Sequence, residues 1–435
     1  MGAARILFAA ISLLVAASLR MSAQTSVWSL DRCVVYALQH NCDVLLQKAD
    51  EAGRRQALSL SKLELLPTLY LNANQYYNWG RSVDMQELVI VRNRLTRQTS
   101  ASAGASIALF DGFARINTIS MNRCLADAAG SALRQAEFEV KADIARAYLA
   151  NILAKLTGKR LAESYENICL QMERLEREVA VGTRGRSDML EMEAKAADIR
   201  SQIASAESEG RGQMQQLMAI MGCTEAFDTE AGYDMFYEAV PPAAWPDGSK
   251  AAPAVEVARS QVEAAKYALK VARGALLPSL TISAGYGTYY SDASPASFRD
   301  QFDGNRNPSV SLNLSLPVFD AGKTLTAVSR ARNDLRESEI KLQQARQQDA
   351  MYQRDLLEQC TLLKQQCDIC GEKCSLCRER MNQVTAEYEA GAITTSQWID
   401  ACENLSQSEC ELVQYMCKYL FQLKIMEYYR DGRSR

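Results

Sequence analysis

Cys367, Cys370, Cys374 and Cys377 form a C-x2-C-x3-C-x2-C cluster, a spacing that suggests a tetrahedral zinc site. The residues around it set that cluster in a longer pattern. Tyr352, Leu356, Cys360, Leu363, Cys367, Cys370, Cys374, Cys377, Met381, Val384 and Tyr388 are separated by threes and fours. That is a heptad a/d seam in which Cys replaces Leu and Ala. Along one helix Cys367 and Cys377 would lie about 15 Å apart. Four sulfurs so spread cannot each approach one zinc to ~2.3 Å. The cysteines therefore read as small hydrophobes in a helical core. Metal binding, or disulfides made with a facing helix, is the competing reading. The count of 13 means that not every thiol can pair within one chain.

Little other chemistry is on offer. His40 is the single histidine, precedes Asn41 in an amphipathic helix, and reads as a surface residue. There is no Gly-rich phosphate loop, no G-x-S-x-G, no H-E-x-x-H and no aspartate-rich calcium loop. The reading is therefore no enzyme, no cofactor and no resident metal. A net charge of −3 and a pI near 5.6 argue against nucleic acid as a partner.

The elements that hold these residues occur twice. Leu65-Leu66-Pro67-Thr68-Leu69 recurs as Leu276-Leu277-Pro278-Ser279-Leu280. Leu109-Phe110-Asp111-Gly112 recurs as Val318-Phe319-Asp320-Ala321-Gly322, and Val179-Ala180-Val181-Gly182-Thr183 as Tyr388-Glu389-Ala390-Gly391-Ala392. The offsets are 211, 209 and 209 residues. Such a duplication makes each half one structural unit. Residues 24–229 form the first repeat, 230–253 a Pro-bearing linker and 254–435 the second repeat. Ahead of them, residues 1–23 read as a cleaved signal peptide, with Arg5 before the apolar run Ile6 to Leu19 and small residues before Gln24. No Cys stands at the cut, so a lipid anchor is not expected. No later run reaches the ~18 apolar residues that a membrane helix needs.

Trp28 to Arg55 reads as one helix, and Pro67 and Pro278 each stop a helical stretch. Beyond each stop the pattern has period two. Strands are predicted at about 68–78 and 100–110, and again at about 280–290 and 309–317, each with one apolar face and one small, polar face. The segments Trp79 to Thr99 and Ser291 to Pro308 read as exposed loops. After each strand pair comes a proline-free helical stretch, Gly112 to Gly182 and Gly322 to Gly391. Each would be roughly 100 Å long if fully helical. Gly-centred turns then reverse the chain, giving helical hairpins over about 112–221 and 321–430. The strands admit two readings, a soluble sheet packed on helices or part of a membrane barrel. Four strands cannot close a barrel, since about eight is the practical minimum, so the second reading demands an oligomer.

This layout resembles the TolC family of outer-membrane efflux factors over nearly the whole mature chain. The residues that carry the likeness are the opening helix Trp28-Ser29-Leu30-Asp31 through Ala37-Leu38-Gln39-His40-Asn41, the two Leu-Pro steps into strands, the two strand exits and the two Gly-centred tips. Cys42 stands where that family usually has Pro. The fold class implied is a mixed α/β membrane protein. Long antiparallel helical hairpins would form a periplasmic α-barrel, and four strands per chain a 12-stranded barrel in a homotrimer. The resemblance further implies an exit duct in the outer membrane of a Gram-negative bacterium, in contact with outer-membrane lipid. It would dock a periplasmic adaptor protein and an inner-membrane pump of the RND or ABC type. It implies docking tips at Val181, Gly182, Thr183, Ala390, Gly391 and Ala392, and a tunnel gate at Ser187, Asp188, Tyr388, Gln397 and Asp400. Gln397 stands where an aspartate is often found, and Ile393 where the tip is often basic. The rival functions are a non-conducting coiled-coil protein that spans the periplasm and a cysteine-rich metal binder.

Overall fold

The structure is a computed structural model that describes residues 27–83, 90–225, 227–230 and 251–434. The expected signal segment 1–23 and residues 231–250 of the expected linker lie outside the described residues. β1 (Val27–Trp28) leads into α1 (Leu30–His40) and α2 (Cys42–Leu63). β2 (Thr68–Val83) and β3 (Ile90–Asp111) precede α3 (Ala114–Val181) and α4 (Arg186–Met221). After β4 (Asp228–Thr229) come α5 (Pro253–Gly274), β5 (Ser279–Ser291), α6 (Phe298–Gly304), β6 (Asn307–Ser315), α7 (Lys323–Glu389) and α8 (Thr395–Ser434).

Three sequence expectations need correction. The helix read over Trp28 to Arg55 is two helices, because Asn41 leaves the helical region (φ −65°, ψ 131°). The Asn41 side chain then caps α2, accepting from the N–H groups of Asp43 at 2.8 Å and Val44 at 3.2 Å. The segment Trp79 to Thr99 is not simply a loop. β2 continues to Val83 and β3 starts at Ile90, in register from Thr68↔Ser106 to Val83↔Ile90 with one irregularity at Gly80/Ser82. Aromatic and β-branched residues such as Trp79 and Thr96 favour the extended backbone there. Within Ser291 to Pro308 the chain forms the short helix α6. Its Gln301 side chain holds both the N–H and the C=O of Ser291, each at 2.9 Å.

The chain divides into two compact units. One, built from residues 47–134 and 251–349, carries the four-stranded sheet in the order β2-β3-β5-β6, every pair antiparallel. β2 and β6 are its edges. The alternation of each strand separates two faces. Leu69, Ala105, Ala284 and Val310 lie side by side on one, while Thr68, Ser106, Ser283 and Ser311 lie side by side on the other. Both strand exits are built alike. Asp111 accepts from the N–H of Arg115 at 3.1 Å, and Asp320 from the N–H of Thr324 at 2.8 Å. A carboxylate thus satisfies free donors at the start of each long helix.

In the other unit, from residues up to 46, 135–250 and 350–435, the described elements are helices apart from the two-residue pair β1·β4. The stretch of α3 and all of α4 within it pack with parts of α7 and α8. Their buried cluster includes Ile168, Leu175, Met192 and Ile199 from the first hairpin and Val384, Tyr388, Trp398 and Ile399 from the second. Apolar side chains at three- and four-residue spacing supply that seam. Asn41 donates to the carbonyl of Ile220 at 2.7 Å, which ties the α1–α2 break to the end of α4.

Candidate functional site

The two hairpin turns are the same construction. At the first, the N–H of Gly182 reaches the carbonyl of Val179 at 3.1 Å and that of Thr183 reaches Glu178 at 3.0 Å. At the second, Gly391 reaches Tyr388 at 3.0 Å and Ala392 reaches Glu387 at 2.9 Å. This is the Schellman pattern, with glycine in the left-handed region at φ +84° and +74°. Val181, Gly182, Thr183, Ala390, Gly391 and Ala392 are all exposed.

The returning helices begin alike too. Asp188 accepts from the N–H of Gly185 at 3.1 Å. Gln397 accepts from the N–H of Thr394 at 3.0 Å, while Thr394 Oγ1 accepts from the N–H of Gln397 at 3.4 Å. Thr394 and Gln397 thus form a capping box, and Asp188 holds the corresponding position in the first hairpin. Its carboxylate sits where the positive end of the helix dipole favours it. Of the five residues assigned to a gate by resemblance, Asp188 and Gln397 are therefore engaged with their own helix ends. Tyr388 is 6 % exposed and its hydroxyl lies 3.2 Å from Thr395 Oγ1, so it is a core residue of the second hairpin rather than a surface group. Ser187 and Asp400 are exposed.

Arg184 joins the two turns. Its guanidinium lies 4.7 Å from the centre of the Tyr388 ring, donates to the carbonyls of Tyr388 and Ile393 at 3.4 Å each, and sits 3.6 Å from the Glu178 carboxylate. Sequence reasoning missed this residue. The signal was present in the mismatch at repeat-equivalent positions, since the basic group absent at Ile393 appears in the other copy as Arg184. The capping box was legible in the same way, as a Thr-x-x-Gln preceding an apolar run. Ion pairs of Arg174 with Glu389 and of Lys195 with Glu403 also link the hairpins.

The cysteine seam is a packed one. Leu356, Cys360, Cys370, Cys374, Val384 and Tyr388 are buried along α7, with Cys367 and Cys377 half-buried. Burial pushes the Cys367 thiol up to about 11 and the Cys417 thiol up to about 12. Such thiols are poor nucleophiles and poor metal ligands at neutral pH. Among the described residues no group of three or more metal-ligating side chains converges. His40 is exposed, stacked on Tyr36, with Nδ1 2.9 Å from the Tyr36 carbonyl.

The second surface with functional character is the sheet. On its apolar face Leu69, Leu71, Val310, Leu312 and Leu314 are 64–85 % exposed. Isolated apolar residues at a surface are ordinary, but a contiguous face of this kind marks contact with another apolar phase. Among the described residues no helix is long and apolar enough to cross a membrane.

The comparisons agree with this geometry. The outer membrane efflux protein family model matches residues 34–223 and 249–422. The outer membrane efflux protein BepC of Brucella suis biovar 1 (strain 1330) is 23% identical over 251 residues, which is 56% of this chain and 53% of BepC. The match thus spans about half the length of that curated relative. Among solved structures, the transmembrane channel CusC superposes with a TM-score of 0.81 at 17% identity, covering 92% of this chain and 91% of CusC. The CmeC outer membrane channel of Campylobacter jejuni superposes at 0.80 with 15% identity, covering 93% and 86%. With the family match covering both halves of the sequence, the chain belongs to the outer membrane efflux protein family.

Proposed function

We propose that the protein is the outer-membrane exit duct of a tripartite efflux or type I secretion system. It conducts substrates passively and makes or breaks no bond. The observation that carries the reading is the sheet, which has two open edges, one exposed apolar face and one small, polar face. Full burial of a leucine is worth roughly 1.5–3 kcal/mol, so five large apolar residues exposed in one face call for lipid against them. Three copies would supply twelve strands, enough to close around a polar bore where four are too few.

In this reading the apolar face meets outer-membrane lipid and the polar face lines the bore. The helical hairpins form the periplasmic part, and the exposed tip residues Val181 to Thr183 and Ala390 to Ala392 dock a periplasmic adaptor. An inner-membrane pump of the RND or ABC type provides the energy. Ser187 and Asp400 line the constriction, while Asp188 and Gln397 hold it in shape through the helix caps. The mature chain, freed of its signal peptide at residue 23, runs as one repeat to 229 and a second from 254, joined by the linker. The experiment that tests the reading is a pair of neighbouring substitutions on β6. Arginine at a lipid-facing mid-bilayer site costs about 2–4 kcal/mol, so Leu312→Arg should reduce heat-stable oligomer in the outer membrane far more than Asn313→Arg. Equal loss from both variants, or none from either, would overturn it.

A further inference from the structure

β6 ends before its neighbour does. β5 pairs with β3 as far as Gln98↔Ser291, but with β6 only as far as Gly287↔Asn307. Past that point the outward backbone groups of Tyr289 and Ser291 would form a bare strand edge. α6 covers them with side chains. Asn305, its C-cap, donates to the Tyr289 carbonyl at 2.9 Å. Gln301, 1 % exposed, accepts from the Ser291 N–H and donates to the Ser291 carbonyl. The Thr288 hydroxyl donates to the Phe302 carbonyl at 2.6 Å. α6 is therefore held in the place that β6 leaves.

Those contacts also decide which face the helix joins. Thr288 and Tyr290 alternate onto the side of the sheet that carries Leu69, Ala105 and Ala284. The Phe298 ring lies 5.0 Å from the Tyr290 ring and 4.8 Å from that of Phe302. Phe298 is nevertheless 52 % exposed. The helix thus extends the apolar face, and it presents an aromatic ring where that face changes character. Nearer the strand exits the face is aliphatic, with Leu69, Leu71, Leu312 and Leu314. At the level of α6 it is polar and aromatic. Gln75, Thr99 and Tyr290 share a row, and exposed Tyr77 and Trp79 stand beyond it on β2. On α6 itself Arg299, Asp300 and Asp303 are exposed alongside Phe298. Aromatic rings among polar groups suit the headgroup layer of a bilayer, where one side is apolar and the other wet.

Resting on the reading that this face meets lipid, we propose that α6 is an interfacial foot. It lies outside the bore, in the headgroup layer of the surrounding membrane, with Phe298 set into the lipid. It binds the boundary between headgroups and acyl chains and fixes how deep the sheet sits. Leu312 pairs with Ile282, eight residues before Tyr290 along β5. At a strand tilt of about 40° that row lies roughly 20 Å deeper than α6, within the hydrocarbon.

The test is tryptophan quenching in phosphatidylcholine vesicles that hold the full chain. The lipid chains carry bromine either near the headgroup or near the chain end. Emission is read as the excess of Phe298→Trp or Leu312→Trp over the native protein. Phe298→Trp should lose roughly twofold more of its added emission to bromine near the headgroup than to bromine near the chain end. Leu312→Trp should show the opposite order. Phe298 is half exposed, so an indole can replace it without a buried clash. Added emission of Phe298→Trp that yields to aqueous iodide and to neither lipid, while Leu312→Trp yields to lipid, overturns the proposal and leaves the duct intact. Stronger quenching of Phe298→Trp from the chain ends also overturns it. If neither variant is quenched by lipid, the apolar face does not meet a membrane, and the duct reading fails with the proposal.

Discussion

At Gly182 and Gly391 the chain reverses with the same pair of backbone hydrogen bonds, yet the residues around the two turns differ at equivalent positions. Val179 corresponds to Tyr388, Arg184 to Ile393, Asp188 to Gln397 and Met189 to Trp398. The backbone solution was kept because only a left-handed residue and two hydrogen bonds are needed to stop a helix. The side chains diverged in a complementary way. The second turn gained a buried aromatic pair, Tyr388 and Trp398, with ring centres 5.9 Å apart. The first holds the cation that lies against it. The duplicated halves interlock because they are no longer the same.

The largest difference should appear in packing. Trp398 is 1 % exposed, whereas Met189 is only partly buried. Trp398→Ala should destabilise the protein by about 3–5 kcal/mol and Met189→Ala by less than about 2, read as shifts of the denaturation midpoint. Equal losses would mean that the two tips are packed alike after all.

The thiols sharpen the contrast next. The second hairpin holds Cys360, Cys367, Cys370, Cys374, Cys377, Cys402, Cys410 and Cys417, against Cys124 and Cys169 in the first. For Cys367, burial raises the thiol from 9.0 to about 11. At pH 8 the reactive thiolate fraction falls about a hundredfold, and it recovers only as the pH approaches the raised value. In the folded protein maleimide should label exposed Cys42 first and Cys367 about a hundredfold more slowly, as mass spectrometry of timed samples can show. Labelling of Cys367 at the rate of Cys42 would contradict the packed seam.

Two smaller effects probe what the turns share and what joins them. A Cβ built at Gly182 or Gly391 meets nothing within 4 Å, so only the backbone conformation resists a side chain. Gly182→Ala and Gly391→Ala should each cost about 1–2 kcal/mol, and by the same amount. The Arg184–Tyr388 contact couples the turns by about 0.5–1 kcal/mol, measurable in a double-mutant cycle with Arg184→Leu and Tyr388→Leu. A coupling of zero would make the clasp a bystander.

Much of this architecture was legible in the sequence. Alternation marked the strands, proline-free stretches between glycine turns marked the long helices, and a heptad seam marked α7, because each side-chain period is imposed by one backbone geometry. The extension of β2 to Val83 and the start of β3 at Ile90 were not legible. Their residues lack clean alternation, so only the β propensity of residues such as Thr96 and the backbone pairing itself carry the strands there. Side-chain direction at the expected gate positions was the least legible part. Resemblance assigned Asp188, Gln397 and Tyr388 by position, but whether a side chain turns to its own helix end, to the core or to water depends on neighbours that the sequence does not place. Arg184 escaped notice because its partners lie 204 and 209 residues away.

The proposed function requires a water-filled path through lipid formed by several copies of the chain. Its most direct test is current through planar bilayers after incorporation of the detergent-purified mature protein, with the amount inserted measured in parallel. Discrete conductance steps, retained in Asn313→Arg and lost with insertion in Leu312→Arg, are the predicted result. Bilayers that take up the protein and stay electrically silent would contradict it.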